Sequence, residues 1–315
     1  MPSSLYAFLH RLIDYAGLFP PANLALEPAL RNYAAYQTGP DAWMLGRFIC
    51  PAAQLADLDT ALFTPAAPLA LATLTPQTDT ADEFLAALFS SLKAMAAFSV
   101  ERGPVVSLPT IELPLPAGVS ARADLRALLD SAARAFDASP LTLTPFFELP
   151  LGPDWQPALT GCLDLLADYN ATRFHPAGFK LRTGGPTPAA FPAAEVIADA
   201  LTLCRDRGVA LKCTAGLHHP LRRYDESVQT KMHGFVNLFG AGILARVHAL
   251  PAAQVQTILA DEDPAHFAFT ENHFTWQDLS ADTAAIIAAR TASLIAYGSC
   301  SFDEPRADLK ALGWL

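Results

Sequence analysis

The stretch "VALKCTAG" at 209–216 decides the fold. Val209, Leu211 and Cys213 alternate with Ala210, Lys212 and Thr214, so a strand here turns one wholly apolar face one way and a lysine the other. An ammonium group in so short and apolar a strand needs an interior that is polar at one end. A closed parallel barrel provides one, because its strand ends deliver side chains into a shared mouth.

Short apolar runs of the same kind stand at 44–50 (MLGRFIC), 69–74 (LALATL), 105–113 (VVSLPTIEL), 144–149 (TPFFEL), 178–183 (GFKLRT), 267–271 (FAFTE) and 295–300 (IAYGSC). With 209–214 they make eight strands, separated by alanine- and leucine-rich stretches of helical period at 80–100, 121–136, 156–169, 190–207 and 277–293. Helices are also expected at 3–13 and 25–37. The pattern predicts an α/β chain forming a (β/α)8 TIM barrel over 43–315, with two extra N-terminal helices in 1–40 and no second domain. The segment 52–61 is the weakest helix, which makes a doubly wound open sheet the alternative. By this count Lys180 lies on the fifth strand and Lys212 on the sixth.

Composition narrows the function. Just over half the 315 residues are hydrophobic and 17% are charged, which allows a large core. Acidic residues outnumber basic ones 31 to 21, for a net charge of −10, which disfavours nucleic-acid and anionic-membrane partners. The five cysteines, at 50, 162, 204, 213 and 300, form no CxxC pair, so neither a zinc knuckle nor a disulfide framework is indicated. The opening "MPSSLYAFLHRLIDYAG" lacks the basic and apolar regions of a signal peptide, and no run of about 18 uninterrupted apolar residues exists. The expectation is a cytoplasmic protein that does not span a membrane. Nothing fixes the oligomeric state, and a homo-oligomer is compatible with the sequence.

A barrel's active site lies at the C-terminal strand ends, so functional groups should crowd the last positions of each run. They carry Glu112, Glu148, Lys180 with Arg182, Lys212 with Thr214, Glu271 with Asn272 and His273, and Ser299, Cys300 and Ser301. Strand parity turns Thr110, Glu112, Lys180, Arg182, Lys212 and Thr214 inward. Lys180 and Lys212, on consecutive strands, should be neighbours. Like charge and burial together would lower a lysine pKa and make it a carbonyl nucleophile able to form a Schiff base. The other reading pairs each lysine with Glu112 or Glu148 and leaves both as charged anion binders.

The turn Arg182-Thr183-Gly184-Gly185 suits an anionic group, with a guanidinium fork and backbone N–H groups that glycine lets approach. His218 and His219 follow Lys212's strand as candidate proton carriers. A divalent metal ion held by Glu148, His218 or His219, Glu271 and His273 is the alternative chemistry; the leading reading needs no cofactor. The loop 215–230 is long enough to act as a lid. Asp14 and Tyr15, in an irregular segment, plug one end of the barrel or fold over the other. Cys300 is a reactive thiol or a small buried filler.

"Lys180-Leu181-Arg182-Thr183-Gly184-Gly185" and "Lys212-Cys213-Thr214-Ala215-Gly216" resemble the two lysine motifs of class I aldolases of the deoxyribose-phosphate aldolase type. That resemblance implies Lys180 as the Schiff-base residue and Lys212 as the neighbour that lowers its pKa. "Gly298-Ser299-Cys300-Ser301" resembles the same family's final phosphate-binding turn. The segments "IDYAGLFPPA" and "MHGFVNLF" resemble a bacterial (β/α)8-barrel family of unassigned activity.

These readings converge on an enzyme of lyase or aldolase type acting on a small anionic carbonyl metabolite. Lys180, Lys212, Glu148 and His218 are its catalytic candidates. Arg182, Thr183, Gly184, Gly185, Glu112, Thr214, His219, Glu271 and His273 are its substrate-binding candidates. A metal-dependent hydrolase or lyase, and a non-catalytic barrel, are the alternatives.

Overall fold

The computed structural model describes residues 1–119 and 122–315. Eight parallel strands close a barrel in chain order: β1 (Ile13–Tyr15), β2 (Leu45–Pro51), β3 (Leu69–Leu74), β4 (Val106–Pro114), β5 (Thr144–Glu148), β6 (Gly178–Arg182), β7 (Ala210–Thr214) and β8 (Leu294–Ser299). The (β/α)8 expectation holds, with two changes in which segments supply the strands.

The first change is at the N-terminus. Ile13–Tyr15, inside the segment read as a helical extension, is a barrel strand that pairs with both β2 and β8. Helix α2 (Leu26–Gln37) therefore belongs to the barrel's own alternation, and only α1 (Ser3–Leu9) precedes it. Three residues are too few to show an alternation in sequence. They suffice as a strand because neighbours on both sides satisfy their backbone groups.

The second change concerns 267–271. Phe267–Phe269 is a strand, but it joins His273–Trp276 and Leu279–Asp282 in a separate antiparallel sheet. It buries Phe267 and exposes Ala268, the one-wet-face pattern of an antiparallel strand. This sheet belongs to the long connection from β7 to β8. That connection also holds a hairpin (Arg223–Asp225 with Thr230–Met232) and helices α7 (Phe235–His248), α8 (Ala252–Ala260) and α9 (Thr283–Ala292). The connection explains why every residue from Phe235 to Ala245 of α7 is buried: the outer sheet covers the side that solvent would otherwise reach.

Parity follows expectation elsewhere. Phe147, Phe179, Leu181, Leu211, Cys213 and Tyr297 turn outward into the core against the helices. Between β2 and β3 there are only 3₁₀ turns (Ala52–Asp57 and Thr60–Leu62), at the segment that reads weakest as a helix. Helices α3 (Ala81–Arg102), α4 (Arg122–Asp137), α5 (Trp155–Asn170) and α6 (Ala194–Arg207) fill the next four connections, and α10 (Asp303–Ala311) follows β8. Among the described residues, the segment Ala81–Val105 is the one helical stretch long and apolar enough to cross a membrane. Here α3 is capped by a reciprocal Thr80–Glu83 box and buries Phe84, Leu88, Leu92, Met95 and Phe98.

At the N-terminal strand ends Arg290 closes the floor. Its guanidinium donates to the carbonyls of Phe8, His10, Leu294 and Ile295, tying α1 to the start of β8.

Candidate active site

The register of β5, β6 and β7 sets Glu148 beside Lys180 and Lys180 beside Lys212. From there the inward side chains form one ion chain across the barrel. Asp14 Oδ2 of β1 lies 2.6 Å from Lys212 Nζ, and Lys212 also meets Glu112 Oε1 of β4. The second oxygen of Glu112 is 2.7 Å from Lys180 Nζ, which continues to Glu148 Oε2 at 2.8 Å. Arg182 ends the chain at the mouth, its Nε and Nη2 at 2.9 and 2.8 Å from Glu148 Oε1. At the far end the Arg47 backbone N–H donates to Asp14 Oδ1 at 2.6 Å, and Arg47 Nη1 stands 3.6 Å from Oδ2.

Exposure rises along this chain. Asp14 and Lys212 are fully closed off and Glu112 and Lys180 nearly so, whereas the Arg182 side chain is 55% exposed. Three carboxylates (Asp14, Glu112, Glu148) face two ammonium groups and two guanidinium groups (Arg47, Arg182), which leaves one net positive charge. In an acidic molecule this is a local cationic interior.

Lys180 departs from the sequence expectation of a lowered pKa. Burial does push it down, but Glu112 and Glu148 on either side outweigh burial and hold it above the ordinary lysine value. The like-charge argument fails because Glu112 stands between the two lysines, one oxygen for each. Burial would raise Glu112, yet the two ammonium groups bring it down to about 2. Glu148 is likewise lowered, by Lys180 and Arg182 against the effect of burial.

A cavity of about 310 Å³ opens over these groups, walled by Glu148, Lys180, Arg182, Leu74, Gln77 and Pro114. Its size suits a metabolite of few atoms. A larger hollow of about 970 Å³ lies at the opposite end, bounded by His10, Arg11, Arg47 and Arg290. Neither lysine nor any carboxylate of the ion chain lines it, and Arg290 is consumed by backbone carbonyls.

The other candidates divide. Thr183 is fully buried and donates its hydroxyl to the carbonyls of Thr214 (3.1 Å) and Ala215 (2.5 Å), stitching the end of β6 to that of β7. Gly184 and Gly216 pack back to back: a Cβ on Gly184 would come 2.7 Å from the Gly216 Cα. Gly185 lies close to Ala190, where a Cβ would meet that residue's own at 2.7 Å. The glycines therefore serve the close approach of two loops. Thr214 is half-buried at the end of β7.

His218 Nδ1 is 2.7 Å from Glu304 Oε2, and its Nε2 is 3.9 Å from Cys300 Sγ. His219 is held on both ring nitrogens, by Asp308 at 2.6 Å and Asp225 at 3.3 Å. It thereby ties the 215–230 loop, the segment read as a lid, to α10.

Glu271 and His273 are not at the mouth. Glu271 accepts from the Ser3 hydroxyl of α1 at 2.7 Å, and His273 is exposed on the outer antiparallel sheet. The alternative metal ligands Glu148, His218, Glu271 and His273 thus do not converge. The segment 267–271, expected as a barrel strand, lies in the outer sheet and carries Glu271 and His273 away from the mouth. Among the described residues no set of three or more His, Cys, Asp or Glu is arranged to hold a metal ion.

Asp14, Arg47 and Glu304 take part although they do not stand at the strand exits expected to carry the site. Asp14 had a visible signal, an acid between two apolar residues in "IDY". Glu304 had none, because only the fold brings α10 to the loop after β7. No family model and no curated protein matches this chain.

Proposed function

We propose that the chain is an enzyme of lyase or aldolase type that forms an imine between Lys180 and a small anionic carbonyl metabolite. The observation that carries this reading is the place of Lys180, between two carboxylates in the wall of the mouth cavity and beside Arg182. Barrels of this type commonly carry enzymatic sites at that end.

The substrate's anionic end binds Arg182 and competes with Glu148 for it. Glu148, 2.8 Å from the ammonium group, takes a proton from Lys180. The free amine attacks the carbonyl carbon, and the carbinolamine loses water using the proton that Glu148 returns. The resulting iminium faces Glu112, which is already charged, and withdraws electrons from the bond to be broken. Glu148 then takes the proton of the hydroxyl beyond that carbon–carbon bond, which becomes a carbonyl as the bond's electron pair passes into an enamine. Glu148 returns the proton to the enamine carbon, and water hydrolyses the imine to free Lys180. Lys212 sits deeper, paired with Asp14 and Glu112, and keeps Glu112 ionised and aimed.

The aldolase resemblance gains support from the strand count. In that family the lysine pair lies one strand later than the sequence count put it here. With Ile13–Tyr15 as β1, Lys180 and Lys212 stand on β6 and β7, and Gly298-Ser299-Cys300-Ser301 follows on the eighth strand.

The test is borohydride trapping with a pool of small aldehydes and keto acids, read by peptide mass. The expected result is an adduct on the peptide containing Lys180, absent in Lys180→Met. Stoichiometric bound transition metal with no trapped lysine would overturn the reading.

A further inference from the structure

We propose that Cys300 is a nucleophilic thiol, activated by His218 and oriented through it by Glu304, that takes up a small uncharged carbonyl electrophile at the rim of the barrel mouth. The three residues come from three places: the end of β8, the loop after β7 and the first turn of α10. Sulfur, imidazole and carboxylate stand in line, with Sγ 3.9 Å from Nε2 and Nδ1 2.7 Å from Oε2. This is the nucleophile–base–orienter arrangement, at the looser spacing usual without substrate.

The other four cysteines have no such partner. All five cysteines are buried, and Cys300 at 7% is the most exposed of them. Burial pushes Cys50 and Cys162 up to about 12 and pushes Cys204 and Cys213 up in the same way. Burial alone would lower His218, but its bonds to Cys300 and Glu304 outweigh burial and raise it to about 10, which favours an imidazolium facing the sulfur. The charged and titratable groups around this cluster are Tyr15 from β1, His219 and Asp225 from the β7 loop and hairpin, and Asp303 beside Glu304 on α10. Beneath it the Tyr297 hydroxyl is fully buried without a partner, with Glu304 as the charge that adds to the effect of burial on it. With Glu304, Asp303 and Asp225 close by, and the Arg306 guanidinium taken by Asp41 and Asp303, an anionic electrophile is disfavoured. This separates the site chemically from the cationic lysine chain, and it does not depend on the imine reading.

The step balances without a co-reactant. With its proton already on His218 Nε2, the sulfur attacks the carbonyl carbon. The π pair moves to oxygen, which takes the proton back from the imidazolium, giving a reversible thiohemiacetal.

The test uses the purified full chain, iodoacetamide and peptide mass mapping. At about pH 6.5 the Cys300 peptide should label roughly tenfold faster than the other four, with a rate that varies little up to about pH 8. Acetaldehyde should protect it, and iodoacetate should react more slowly than iodoacetamide. His218→Asn should slow labelling about tenfold and restore the steep rise with pH of an ordinary thiol, with Glu304→Gln falling between. If His218→Asn does not fold, the wild-type pH profile and Glu304→Gln decide. Labelling of Cys300 no faster than its peers, a steep ordinary profile in the wild type, faster reaction with iodoacetate, or no protection by acetaldehyde would each overturn the proposal.

Discussion

Asp14 Oδ2 lies 2.6 Å from Lys212 Nζ with both side chains closed to solvent, although their strands, β1 and β7, are not neighbours. The strand between them, β8, presents Gly298 opposite Asp14, so no side chain intervenes. Breaking this pair from one side leaves a buried charge uncompensated. Lys212→Met should therefore lower stability by about 3–5 kcal/mol in urea titration. The double variant Asp14→Asn/Lys212→Met should cost less than the sum of the single changes. Additive losses would show that the pair is not coupled.

Gly46 is the second half of Asp14's placement. A Cβ there would run into Asp14 Oδ1, which cannot retreat because the Arg47 N–H holds it and Lys212 holds the other oxygen. Gly46→Ala should cost about 1–3 kcal/mol, the usual size of an overpacking penalty. The cost should shrink when Asp14 is itself replaced by alanine, which removes the clashing atom. Equal loss in both backgrounds would place the strain elsewhere.

The raised pKa of Lys180 sets a pH direction. Imine formation needs the free amine, so borohydride trapping of Lys180 should climb as pH rises through the alkaline range. Replacing Glu148 by glutamine removes one of the two carboxylates that favour the charged form and should move that rise to lower pH. A wild-type yield that peaks below neutrality would contradict the assignment.

Acid should undo the chain in a defined window. Glu112 is held at about 2 in the folded protein against an ordinary 4.5, so its contribution to stability is present above 4.5 and disappears as pH falls towards 2. Urea titrations at stepped pH should show that loss in the wild type. In Glu112→Gln the overall stability is lower, and this part of the pH dependence should be missing.

Glu271→Gln and His273→Asn supply the contrast. Both residues are exposed and sit away from the mouth, so trapping at Lys180 should be unchanged and stability should move by no more than about 0.5 kcal/mol. A large loss of trapping in either would return that segment to the site.

From the sequence alone the barrel could be read, with an open sheet as its alternative, together with the inward direction of Lys180, Lys212, Glu112 and Arg182. Strand parity depends only on local backbone geometry, and the alternation in "GFKLRT" and "VALKCT" states it directly. Tertiary structure decided which strands close the barrel. A three-residue strand such as "IDY" is stabilised by its neighbours' hydrogen bonds and carries almost no periodic signal of its own, while "FAFTE" carries a strand signal that does not say which sheet it joins. Tertiary structure also set the charge of Lys180. Sequence adjacency brought two like charges together, and only the barrel's closure placed Glu112 between them and reversed the direction of the shift. The pairing of His218 with Cys300 and Glu304 belongs to the same class: His218 lies 82 residues before Cys300, and the barrel's closure brings the loop after β7 against the end of β8 and the start of α10.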